Sequence, residues 1–205
     1  MARRIKHWAF RWRGANGMLF MTPFVVLTIL SYPRVRDGSW GELALDDLGW
    51  MLFLGGVGLR FWATLYVGGR KTREVVSDGP YSVVRHPLYL GTALLLLSVT
   101  AFLKSETCLI GVLLAMSAYR LLTVPAEEEE LRQLLGAEYE AYAARTPRLL
   151  PRLRGFHSPT FVSVKVKSLS IEVRRAVVWL GFPFALEAVN RLRETAWWPH
   201  PLRLP

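Results

Sequence analysis

The chain has 205 residues, 52% of them hydrophobic, with a mean hydropathy of +0.23 and a formal net charge of +10. That length allows one or two domains, and apolar residues gathered into long runs argue against an ordinary soluble globule. The cations sit in blocks between those runs, which suits anionic membrane headgroups and topology control better than a nucleic-acid-tracking face; the single cysteine, Cys108, lies inside an apolar run and leaves no disulfide framework or cysteine-based metal site.

The chain opens MARRIKHWAFRWRG before an apolar stretch, a pattern that imitates a secretory signal. No small-x-small cleavage site follows, and Tyr32 and Pro33 end the run instead, so the segment is expected to stay as an anchor. Gly14 to Pro33 is 20 residues without a charge, enough to cross a hydrocarbon core of about 30 Å. Leu48 to Gly69 is a second span, interrupted only by Arg60. Pro87 to Leu103 is a third, with its proline in the first helical turn. Lys104, Ser105 and Glu106 make a polar turn into the fourth, Thr107 to Val124, which carries Arg120 near its end.

After Pro125 the chain changes character. Pro125 suits a helix start, and Glu127 to Glu130 would fill the first turn, where carboxylates oppose the helix dipole. Leu131, Leu134, Leu135, Tyr139 and Tyr142 recur at helical spacing, a stripe for a helix resting on the membrane surface or capping a bundle, ended by Pro147 and Pro151. Residues 156–167 alternate too briefly to read as a strand, and Ala176 to Asn190 is a short apolar stretch containing Pro183 and Glu187 that crosses or lies re-entrant. The fold class expected is all-α: a polytopic membrane bundle of about five transmembrane helices with a cytoplasmic amphipathic helix. Its organisation reads as N-terminal membrane helices (1–70), a central segment (71–153) and a C-terminal segment (154–205). With a cytoplasmic N-terminus and five crossings, 18 basic residues fall inside and six outside. This positive-inside bias puts the Arg85 loop and the glutamate run on the cytoplasmic side.

Three features carry chemical promise. Arg85, His86 and Pro87 stand where a basic loop meets an apolar run; Glu127 and Glu128 stand where the next run ends; Tyr81, Tyr89, Tyr139 and Tyr142 flank both. Alone, each has a plain reading: a snorkelling arginine, a solvated helical turn, an aromatic belt. A hairpin of the third and fourth spans brings the cationic and anionic groups together, making a candidate pocket for a zwitterionic ligand.

The ordered set GPYSVVRHPLYLG, then AEEEELRQLLGAEYEAYAARTPRLLP, resembles the integral-membrane methyltransferases that include isoprenylcysteine carboxyl methyltransferase and the phospholipid N-methyltransferases. The likeness covers Arg85 to Gly91, Glu127 and Glu128, Gly136, Tyr139, Tyr142 and Pro151, about 75 of the 205 residues, and extends weakly upstream over 73–76. It implies S-adenosyl-L-methionine as cofactor at the cytoplasmic mouth of the bundle and a lipid or lipophilic small molecule as acceptor. By the same resemblance Val75, Val76, Tyr81, His86, Pro87, Leu88, Tyr89, Glu127 and Glu128 would line the cofactor site. Glu128 would reach the cofactor's ammonium, and Arg85, His86 and Glu128 would be the catalytic set. The carboxyl methyltransferases have a substrate-clamping arginine where this chain has Thr123, which leaves a carboxylate acceptor open; Arg120, one turn earlier, and the intramembrane Arg60 are the candidates for holding substrate. Two other classes compete: a sterol-reductase-like enzyme using a nicotinamide cofactor, and a membrane scaffold or transporter subunit without catalysis.

Overall fold

A computed structural model describes residues 13–31, 35, 38–68, 70, 74–195, 197–199 and 201–202. The basic start of the expected anchor, Tyr32, Pro33 and the upstream Arg73 lie outside the described residues. Among the described residues seven α-helices follow one another: α1 Arg13–Leu30, α2 Trp40–Val67, the short α3 Pro80–Val83, α4 Pro87–Leu103, α5 Glu106–Ala118, α6 Val124–Arg145 and α7 Val166–Arg193. Among the described residues there is no strand, only an isolated bridge between Ser31 and Leu202, so the all-α expectation holds. Residues 156–165, with their short alternation, form irregular chain.

Among the described residues two helical stretches are long and apolar enough to cross a bilayer, Trp40–Val67 at 28 residues and Glu106–Arg145 at 40; Met21–Leu30 and Pro87–Leu103 are shorter apolar helices. Between α4 and α5 the turn expected at Lys104 forms, with Lys104 at φ 52° and Ser105 capping α5 by accepting from the Cys108 N–H at 3.2 Å.

Three local expectations need correction. No free helix N-terminus exists at Pro125. Tyr119–Thr123 is a π-helical turn in which the Val124 N–H bonds back to the Tyr119 carbonyl, and winding continues into α6. A proline clashes with the carbonyl four residues back in a regular helix, and the wider turn just before Pro125 relieves that crowding. The stripe Leu131 to Tyr142 is likewise broken, because Gly136 sits at φ 54°, ψ −133° inside α6, a conformation only glycine adopts without strain. Tyr139 and Tyr142 are buried while Leu134 is exposed. Finally, the short apolar stretch at 176–190 is the interior of a 28-residue helix that runs through Pro183; the charges at 165–175 hide its first turns from a hydropathy reading.

The chain divides into two compact units, and α2, α4, α6 and α7 each contribute to both. In the unit formed by 1–51, 96–127 and 182–205, Lys104 Nζ bonds Glu42 at 2.8 Å and Asp46 at 3.2 Å. There too the Asn190 amide donates to the Phe102 carbonyl at 2.7 Å, and Trp50 meets Phe102 edge-on at 5.5 Å.

The unit formed by 52–95 and 128–181 has a core of Ala63, Tyr66, Val76 and Tyr81, with Leu88 and Val162 packed against it. Its loops are stitched by backbone bonds: Gly79 N–H to the His157 carbonyl (2.8 Å), Arg85 N–H to Pro147 (2.9 Å) and Arg152 N–H to Val83 (3.0 Å). Gly79, at φ 57° and ψ −127°, starts the turn into α3, and a Cβ there would enter the Tyr66 ring. Gly79→Ala is expected to lose about 1–3 kcal/mol through backbone strain with the ring collision in addition, read as a lower denaturation midpoint in micelles.

Candidate active site

Every described contact of the Glu128 carboxylate lies within the second unit. Pro87 starts α4 and disfavours helical backbone at His86 just before it, so Arg85 and His86 sit at the helix mouth. The Arg85 N–H is held by the Pro147 carbonyl, which sets the R-H-P loop beside the chain that leaves α6. Glu128 projects from α6 into this corner with its side chain wholly buried. Its Oε1 accepts from Arg85 Nη1 at 2.8 Å, His86 Nε2 at 3.1 Å and Arg148 Nε at 3.1 Å. Its Oε2 accepts from Arg148 Nη2 at 2.5 Å, with Arg132 at 3.9 Å. Burial pushes the Glu128 carboxyl upward, but the hydrogen bonds from His86 and Arg148 and the charges of Arg85 and Arg148 win, and it titrates at about 2.

An ionised carboxylate only accepts, so His86 Nε2 carries a proton, and in the neutral ring Nδ1 is the lone-pair nitrogen. His86 is 7% exposed and stacks on Tyr89 with centroids 5.5 Å apart and planes at 30°. Beneath them the Tyr142 hydroxyl donates to the Tyr81 carbonyl at 2.8 Å. The Tyr139 hydroxyl and Arg85 Nε are buried and have no hydrogen-bond partner among the described residues.

The residues singled out from the sequence sort plainly. Arg85, His86 and Glu128 come together. Val76, Tyr81 and Pro87 are buried and Val75, Leu88 and Tyr89 half-buried in the same unit. Glu127 is buried but belongs to the other unit. Arg120 is exposed in the π-helical turn, also in the other unit. Arg60 has protein partners: its Nε meets Glu172 Oε1 at 2.7 Å, its Nη1 meets the Thr92 hydroxyl at 2.6 Å, and its guanidinium lies 4.8 Å from the Trp179 ring centroid. Glu172 is 3% exposed, so this pair is a clamp among α2, α4 and α7, tight enough that a Cβ on Gly91 would stand 2.5 Å from Arg60 Cγ.

Sequence reasoning missed Arg148 and Arg132. Arg132 lies four residues after Glu128, the spacing of a helical ion pair, and this was a signal available in advance. Arg148 stands in a run of basic residues after Pro147, and nothing marks it out from its neighbours.

A model of the isoprenylcysteine carboxyl methyltransferase family matches residues 50–133. The nickel-cobalt-cadmium resistance protein NccN of Alcaligenes xylosoxydans xylosoxydans is 32% identical over 88% of this chain and 84% of its own. The chain belongs to the isoprenylcysteine carboxyl methyltransferase family. The cobalt-zinc-cadmium resistance protein CzcN of Cupriavidus metallidurans is 34% identical over 83% of this chain and 79% of its own. The protein-S-isoprenylcysteine O-methyltransferase of Xenopus laevis is 29% identical over 60% and 45%. No solved structure matches. Family membership makes the chain a relative of methyltransferases. The stretch that matches the family model includes the R-H-P loop and Glu128, two of the elements that meet in the buried cluster.

Proposed function

We propose that this chain is an S-adenosylmethionine-dependent integral membrane methyltransferase acting on a lipid or lipophilic acceptor, with its site at the cytoplasmic face of a multi-pass bundle. The observation that carries the reading is the buried Glu128 cluster, which gathers the R-H-P loop and the glutamate helix of a methyltransferase family around one carboxylate. The apolar residues left exposed on α5 and in the π-helical turn, Ile110, Leu113, Leu114, Leu121 and Leu122, are what a helix facing lipid tails presents. The residues fit such a methyl donor: stacked His86 and Tyr89 offer a ring surface, and buried donors without acceptors suit its polar end.

When bound, the donor would supply an electrophilic methyl on a sulfonium, which the acceptor atom would take in line as the S–C bond breaks and the neutral thioether leaves. The protein's part is to exclude water and fix that line of approach. Glu128 has both oxygens engaged, so it acts by setting Arg85, His86 and Arg148, and contact with the donor falls to those groups. Arg85 is the cation to orient an anionic acceptor. For an amine acceptor, His86 Nδ1 is the base that the Nε2–Glu128 bond leaves available. The resistance named for NccN and CzcN describes a cellular outcome; for a methyltransferase it would follow from changing an envelope lipid or a lipophilic molecule.

Calorimetric titration of the purified protein with S-adenosylhomocysteine, and transfer of a labelled methyl into a lipid extract, test this. Binding in the micromolar range with label in the lipid phase is expected. No heat and no label would sink the reading and favour a non-catalytic scaffold.

A further inference from the structure

Tyr139 and Tyr142 lie three residues apart on α6 and are 3% and 4% exposed. They differ in one respect. Tyr142 spends its proton on the Tyr81 carbonyl at 2.8 Å, whereas the Tyr139 hydroxyl has no acceptor among the described residues. Burial, the largest influence, and the Glu128 charge raise its pKa above the usual 10 against the charge and side-chain contact of Arg85, a contact that falls short of hydrogen-bond geometry, so the hydroxyl stays a donor at neutral pH. Arg85 has only donors to offer, so even a contact with Arg85 leaves the Tyr139 proton unspent. Glu128 is already crowded: its Oε1 carries three donors and its Oε2 the Arg148 Nη2. Arg85 Nε is the second buried donor without a partner.

Two unspent donors in a dry corner cost free energy unless an acceptor arrives. The surrounding charge says which kind. Arg85, Arg132 and Arg148 stand against Glu128 and Glu129, which leaves one positive charge in excess before His86 is counted. An anionic oxygen, as in a carboxylate, meets both needs.

We propose that the Tyr139 hydroxyl and Arg85 Nε form a two-donor seat for a ligand carboxylate, either the amino-acid end of the methyl donor or an acidic acceptor. This rests on the methyl-donor reading above and adds Tyr139 as a binding residue.

The test compares Tyr139→Phe with the wild-type protein in detergent, using two pairs of probes that differ only at the acid. S-adenosylhomocysteine is set against 5′-methylthioadenosine, which lacks the amino-acid end; N-acetyl-S-farnesylcysteine is set against its methyl ester. If the seat takes the donor's carboxylate, Tyr139→Phe weakens S-adenosylhomocysteine about tenfold or more and leaves methylthioadenosine unchanged. If it takes the acceptor's, the loss appears on the farnesylated acid and not on its ester. The ligand-free melting temperature should fall less in Tyr139→Phe than in Tyr142→Phe, which removes a well-formed bond to the Tyr81 carbonyl. Wild-type binding of S-adenosylhomocysteine with less than a twofold change on every probe in Tyr139→Phe overturns the seat alone. Wild-type failure to bind S-adenosylhomocysteine overturns the donor reading and the seat together, and the two failures are told apart by that one titration.

Discussion

Glu128→Ala should destabilise the folded protein by about 3–5 kcal/mol and abolish binding of S-adenosylhomocysteine. The carboxylate is wholly buried and is the shared anion for Arg85, His86 and Arg148, so its removal leaves two guanidinium groups facing each other around an empty space. Arg85 has a side-chain exposure of only 14% and cannot swing fully into water, whereas Arg148, at 41%, can. Glu128→Gln keeps the volume and one acceptor and should fall between. The measurement is the denaturation midpoint in micelles beside the calorimetric titration. If Glu128 touched only the cofactor, stability would hold and binding alone would fall.

The same group sets a pH dependence whose sign is fixed. Its pKa drops from an ordinary 4.5 to about 2 on folding, so the charged form is the one the fold favours. The stabilisation is complete above about 4.5 and drains away as pH falls towards 2. Wild-type protein should therefore lose stability across that acid window, and Glu128→Gln should be flatter there.

Glu172→Leu should be nearly as damaging, at about 3–5 kcal/mol, because it strands the Arg60 guanidinium between helices. Arg60→Met should cost less, since Glu172 keeps Arg175 at 3.4 Å. The double change to Met and Leu should recover most of the loss, as replacing a buried pair with apolar groups of similar size often does. Unfolding midpoints of the three variants give the coupling directly. A stable double variant that still binds a lipid acceptor would assign Arg60 to architecture. A stable one that has lost a lipid acceptor's binding would return it to the substrate site.

How far these features were legible before folding follows from their spacing. The meeting of Arg85 and His86 with Glu128 was readable because a hairpin of two apolar runs separates them, and a hairpin returns its ends to one level. The Arg60 clamp was not: its partner lies 112 residues away, on a helix whose first turns are masked by Lys165, Lys167, Arg174 and Arg175. The tyrosines looked like an interfacial belt, since hydropathy and spacing carry no information on which hydroxyl finds an acceptor. Gly136 stood in the motif but gave no sign of its backbone angles, because glycine is compatible with a helix interior as well as with a break.

The cluster also has an order along the chain. Arg85 precedes Glu128 by 43 residues and Arg148 follows it by 20. A chain cut between residues 128 and 148 therefore keeps the acid with one guanidinium and lacks the other. Without Arg148 the corner holds a buried carboxylate short of one counter-charge. Completion of the site is thus tied to the stretch just beyond the hairpin, and a product halted before that point would carry the motif without the grip that closes it.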